Sequence, residues 1–184
     1  MEWTYTTKIM DVKPSTLDEG DDGCIVDAYV EVKVNETKIW CFTPNWRTYF
    51  PYSNIRPHHP YGVGETLVKN LIGKITDLTF RFLNLKTELS DERIKAIIPV
   101  DPNMPVINYT IIGEIIDKEP FPREPDKFEY LQVDCGFILN NLGADKSEYY
   151  VGDYIRSEGR LDVYLVEEEK LIKARRDSVV RGER

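Results

Sequence analysis

CIVDAYVEVKV, Cys24–Val34, decides the fold class. Val26, Ala28, Val30, Val32 and Val34 fall on one face, and Asp27, Tyr29, Glu31 and Lys33 fall on the other. Successive side chains of a strand point to opposite faces, so this period of two predicts a β-strand with one buried side. YLQVDCGFIL, Tyr130–Leu139, alternates in the same way and predicts a second such strand, with Val133, Cys135, Phe137 and Leu139 inward. TKIWCFT, Thr37–Thr43, follows the first strand across the turn around Asn35-Glu36 and predicts a third strand beside it. The expectation is an all-β chain with one short helix.

Outward from these strands, two stretches of the chain resemble each other. KIMDVKP (Lys8–Pro14) lies over EIIDKEP (Glu114–Pro120), and Val26-Asp27-Ala28 lies over Val133-Asp134-Cys135. YGVGETLVKNLIGKI (Tyr61–Ile75) lies over YYVGDYIRSEGRL (Tyr149–Leu161), with Gly64 against Gly152 and Gly73 against Gly159. Three blocks in one order predict an internal duplication: a first β unit over 1–87, a linker over 88–105, a shorter second unit over 106–169 and a basic tail over 170–184. In the linker Ser90 is a candidate N-cap, with Asp91 and Glu92 in the first turn, which predicts a short helix to about Ile98. Pro99, Pro102 and Pro105 then end the helix and stiffen the connection. A bulge near Thr76-Asp77 brings the last strands of the two units into phase. The second unit leaves hardly any room for a counterpart of TKIWCFT, which predicts an incomplete barrel closing against the first.

VGDYIRSEGRLDVYLVEE (Val151–Glu168) resembles the late strands of OB-fold barrels, where a turn leads to a strand, a glycine permits a sharp bend and another strand follows. The resemblance implies two small OB-like or Greek-key barrels in tandem, fused or partly open. It also implies an exposed strand edge in the second unit, which proteins normally cover.

Composition narrows the function classes. The 184 residues carry a net charge of −8, and residues 106–169 hold 15 acidic against 6 basic side chains. Such a surface repels a phosphate backbone, so any nucleic-acid role needs a local exception. MEWTYTTKIM has neither a basic start nor a continuous apolar run, so no secretory signal, no membrane partner and a cytoplasmic location are expected. Cys24, Cys41 and Cys135 lack close spacing and are expected as buried free thiols. Neither a metal nor a cofactor is expected, because ligands in close pairs, a phosphate-cradling loop and a nucleotide fingerprint are all missing. Asp11/Asp117 and Asp27/Asp134 recur in both units, but an aspartate beside a proline turn suits backbone hydrogen bonding better than catalysis.

One segment has no counterpart in the second unit. The insertion at about 44–60 holds Trp46, Arg47, Tyr49, Phe50, Tyr52, Arg56, His58 and His59, interleaved with prolines and free of carboxylates. Trp, Tyr and Arg dominate protein-binding hot spots, and prolines lower the cost of ordering. The same residues suit stacking on bases with phosphate pairing, and they also suit folding over the barrel as a lid. The expectation is a non-enzymatic binding module whose partner is another protein or a second copy of the chain. The alternative is single-stranded nucleic acid bound through this loop.

Overall fold

The computed structural model describes residues 3–14, 28–43, 72–101, 107–146 and 148–166. Asn35 and Glu36 take φ values of 46° and 69°, the backbone of a two-residue hairpin turn whose twist matches the flanking strands. The turn joins β2 (Ala28–Val34) to β3 (Thr37–Thr43). On β2 the predicted alternation holds: Ala28, Val30, Val32 and Val34 are buried in the core, and Glu31 and Lys33 are turned away.

The remaining strands among the described residues are β1 (Tyr5–Pro14), β4 (Ile75–Leu89), β5 (Ala96–Pro99), β6 (Asn108–Pro120), β7 (Phe128–Asp134), β8 (Ile138–Asp145) and β9 (Tyr154–Leu165). All nine belong to one sheet in the order β1-β2-β3-β9-β4-β8-β7-β6-β5, with further pairings of β1 to β4 and of β9 to β6. The further pairings close two rings. One runs β1-β2-β3-β9-β4 and back to β1, and the other runs β6-β7-β8-β4-β9 and back to β6. Both rings contain β4 and β9, which pair antiparallel from Leu78 opposite Leu165 to Leu89 opposite Ile155. Closure is slight on the other side of each ring. β3 meets β9 in parallel through Phe42 and Asp162 alone, and β4 meets β8 through Arg81 and Asn140 alone. The sheet is therefore ring-like without being a clean barrel, and the two halves are fused through β4 and β9.

The shared pair is apolar inside and charged outside. Leu78, Phe80, Phe82, Leu161 and Val163 face the core, and burying each such side chain contributes roughly 1.5–3 kcal/mol. Outside, Arg81 stands opposite Asp162, Lys86 opposite Glu158 and Glu88 opposite Arg156. Opposite charges across a strand pair favour this register. The pair also needs Gly159, since a Cβ there would lie 2.3 Å from the Leu83 carbonyl oxygen.

The halves share local devices. Pairing of β1 with β2 shifts register between Ile9 and Asp11, and pairing of β6 with β7 shifts between Ile115 and Asp117. At each shift the aspartate Oδ1 accepts the next backbone N–H, from Val12 and from Lys118, both at 2.8 Å. Gly73 and Gly152 have φ of 83° and 94°, and their N–H groups donate to Ile9 and Ile115, both at 2.8 Å. These contacts set Gly73 against Gly152, where the sequence blocks align Gly73 with Gly159. They likewise set Val32, opposite Ile9, against Val133, opposite Ile115, where the blocks align Val26.

Several expectations are overturned. Ser90 does begin a turn, its hydroxyl accepting the Glu92 N–H at 3.2 Å. No helix follows, because Ala96–Pro99 forms strand β5 against β6. Tyr130–Leu139 is not one strand. Gly136, at φ 106°, reverses the chain while the Asp134 carboxylate accepts its N–H at 3.0 Å, so Ile138 opens β8. The second half therefore has its third strand. Strand β9 runs through Gly159 as one strand instead of two, and the bulge in β4 lies between Asn84 and Lys86 instead of near Thr76-Asp77.

Candidate functional site: an apolar sheet edge and an open seam

The predicted binding residues Trp46, Arg47, Tyr49, Phe50, Tyr52, Arg56, His58 and His59 lie outside the described residues, as do Cys24 and Asp27. Among the described residues, three features stand apart from the core.

The first is the edge at β5, the last strand in the sheet order. Its other side is bonded to β6, and the Val100 N–H extends that ladder to the Asn108 carbonyl at 3.0 Å. Bonded partners alternate along an antiparallel pair, so Ile98 and Ala96 also turn their backbone groups to β6. The N–H and C=O of Ile97 and the C=O of Pro99 are left pointing out of the sheet. Side chains alternate as well. Ile97 packs toward the core, whereas Ile94, Ile98 and Val100 are 50%, 43% and 56% exposed on the other face. The segment before the strand is anchored. Lys95 Nζ lies 2.7 Å from Asp134 and 3.5 Å from Glu114, and the Ser90 N–H donates to the Tyr154 carbonyl at 2.8 Å. Burial pushes the Asp134 carboxyl up, but the Lys95 ammonium and the Gly136 N–H outweigh it and hold the group below the usual carboxylate range.

The second is the seam of the second ring. Past Arg81 and Asn140 the strands β4 and β8 separate around a cleft of about 370 Å³. Side chains replace the lost ladder. Asn84 accepts the Gly143 N–H at 3.1 Å and donates to the Gly143 carbonyl at 3.0 Å, and the Tyr149 hydroxyl donates to the Thr87 carbonyl at 3.1 Å. Phe121 and Phe128 line the mouth beside Asp145 and Glu148. The buried carboxylate of Glu129 also lines the cleft, neutralised by Lys118 at 2.5 Å. Burial, with Glu148 adding to it, pushes the Tyr149 phenol up to about 12.

The third is an aromatic cluster on the outer face of β2 and β3, made by Tyr29, Trp40, Phe42 and Ile107. The Lys13 ammonium lies 4.9 Å from the centre of the Trp40 ring, and the Arg160 guanidinium lies 4.1 Å from that of Phe42. Arg160 is also paired through two nitrogens to Asp162, at 2.6 and 3.0 Å. Trp40 Nε1 is buried without an acceptor.

Reactive groups are muted. Cys41 and Cys135 are buried free thiols, and burial pushes Cys135 up to about 12 and Cys41 well above the usual thiol range. Thiolate is the reactive form, so both are poor nucleophiles. Asp11 is occupied by the Val12 N–H and lines no part of the cleft. Among the described residues no group of His, Cys, Asp and Glu is arranged to hold a metal, and no helix is long and apolar enough to cross a membrane. The apolar face of β5 escaped the sequence because Ile94, Ile98 and Val100 fall in the stretch that reads as helix and linker. Their spacing of two and four residues was the available signal.

No protein-family model, no characterised protein and no solved structure matches the chain.

Proposed function

We propose that the chain is a non-enzymatic interaction module that takes up an extended segment of protein along the β5 edge. The observation that carries this reading is the coincidence of backbone groups at Ile97 that have no ladder partner among the described residues with exposed Ile94, Ile98 and Val100 on and beside the same strand. Strand addition needs those two elements: a ladder for affinity and alternate side chains for specificity. Edges of this kind are normally blunted by charge or by proline. Here Pro99 removes one outward donor, while the exposed face of the strand carries no charge. The two rings, each with strands in the order first-second-third-fifth-fourth when counted in OB fashion, also support an OB-like origin for each half, each ring taking the other's fourth strand as its fifth. Repeated devices at Asp11/Asp117 and Gly73/Gly152 support a common ancestor for the halves.

The test is a titration of the full chain with a synthetic extended peptide of alternating valine and threonine, followed by backbone amide resonances. Shifts confined to Ala96–Val100 and their β6 partners, lost in Ile98→Lys/Val100→Lys, are expected. Saturation elsewhere, or none at all, overturns the reading.

A second reading, single-stranded nucleic acid, is supported by Tyr29, Trp40 and Phe42 beside Lys13 and Arg160. Against it stand the net charge of −8 and the burial of those rings, each less than a tenth exposed. Labelled oligonucleotides titrated at two salt concentrations separate the classes, since phosphate contacts weaken steeply with salt.

A further inference from the structure

Resting on the reading of β5 as the working surface, we propose that the segment it takes up is β5 of a second copy, paired antiparallel about Ile97. The outward polar groups decide which registers are open. Only residues whose N–H and C=O leave the sheet can exchange bonds with a neighbour; within β5 these are Ile97 and Pro99, and continuing the same alternation past the strand ends adds Lys95, Arg93 and Asp101. With Ile97 opposite Ile97 of the second copy, both central residues donate and accept. Lys95 then stands opposite Pro99, and Arg93 opposite Asp101, once on each side of the two-fold axis.

The exposed side chains match in the same register. Ile94 falls opposite Val100 and Ala96 opposite Ile98, so the apolar stripe of one copy continues into that of the other with no charge facing it. Cross-strand apolar pairs and opposite charges each favour such a ladder. Sliding by one bonded pair is worse in either direction. One slip brings Asp91 against Asp101, and the other places Pro99, which has no donor, at both central positions. Pro99 also limits the contact, because the missing N–H withholds one bond per copy at its ends. The outcome is an isologous, self-limiting pair of chains whose two sheets meet edge to edge. Four-residue strands bury little surface, so the association depends on concentration.

Sedimentation velocity of the full chain, from micromolar up to about 1 mM where weak complexes form, tests this. The expected result is a mass rising from 21.4 kDa toward twice that value. Ile98→Lys/Val100→Lys should stay monomeric. Arg93→Asp and Asp101→Arg should each stay monomeric alone and form a mixed dimer when combined, because the mixture restores opposite charges at both ends. A wild-type chain that stays monomeric overturns the proposal, as does a dimer indifferent to these substitutions. A monomer that still binds the valine–threonine peptide at β5 overturns self-pairing and leaves the interaction module standing. Loss of both removes both.

Discussion

The hydroxyl of Tyr109 donates to the Trp40 carbonyl at 2.9 Å and accepts the Trp40 N–H at 3.1 Å. Those two backbone groups belong to the edge of β3 that faces β9, where the ladder is limited to Phe42 opposite Asp162. One phenol on β6 thus stands in for the missing stretch of ladder. Burial, raised further by Cys41, pushes its pKa well up, so it stays a neutral donor.

Tyr109→Phe should therefore orphan a buried N–H and C=O. A buried polar group left unpaired costs roughly 1–3 kcal/mol. The expected loss lies in that range, read as a lower urea midpoint with an unchanged slope. A variant as stable as the wild type would show that water reaches Trp40.

Gly159→Ala should cost more than Gly152→Ala. At Gly159 the added carbon meets the Leu83 carbonyl oxygen at 2.3 Å and the Asn84 Cα at 2.8 Å, and backbone cannot rotate away. Overpacking of this kind costs about 1–3 kcal/mol or more. At Gly152 there is open space, and only the positive φ opposes the change, by roughly 1–2 kcal/mol. Paired denaturation curves give the order, and an equal loss at both sites would contradict the close crossing of β4 and β9.

Stability should fall in alkali. The Cys135 thiol is raised from an ordinary 9.0 to about 12 by burial, and the Tyr149 phenol from 10.0 to about 12. A raised folded pKa means that the folded chain holds its proton where the unfolded chain has lost it. Stability from the thiol is complete below pH 9.0 and declines as pH climbs toward about 12. The urea midpoint should be level up to pH 9.0 and then drop, and Cys135→Ala should flatten part of the decline. A slope unaltered by that substitution would place the titrating group elsewhere.

Asn84→Ala should open the seam. It removes the donor and acceptor that hold Gly143, and the bond to Thr87 Oγ1 at 3.1 Å. Amide exchange at Gly143 should speed up by at least tenfold, equivalent to roughly 1.4 kcal/mol of local opening, while exchange at Val32 stays unchanged. Equal acceleration at both would mean that the change loosens the whole sheet.

Local alternation made the valines of β2 readable, since one buried face writes itself into every second residue, whereas Thr37–Thr43, buried on both faces from Ile39 to Thr43, was readable from the Asn35-Glu36 turn before it. Asp11 and Asp117 were readable as backbone partners for a similar reason: each acts on its own neighbour. The reversal at Gly136 was hidden because Val133, Cys135, Phe137 and Leu139 are all buried on either side of it, so the alternation runs straight through the turn. The strand at Ala96–Pro99 was hidden differently. Ser90, Asp91 and Glu92 start a turn as they would start a helix, and what diverts the chain afterwards is β6, whose partners run from Ile112 opposite Ala96 to Tyr109 opposite Pro99. The predicted loop residues Trp46 to His59 are a separate matter, because they lie outside the described residues.

Sharing of β4 and β9 between the rings sets the order in which the chain can mature. The ring around β2 and β3 needs Asp162 from the last strand, and the ring around β7 and β8 needs Arg81 from the fourth. A nascent chain therefore cannot finish its first half on the ribosome and then its second. Both wait for β9, the pairings that complete them span most of the chain, and such distant closures are slow. Until β9 arrives, the apolar inner faces of β2 and β3, Val30, Val32, Ile39 and Cys41 among them, are covered only in part, and exposed apolar surface of that kind is what makes a partly folded chain prone to aggregate.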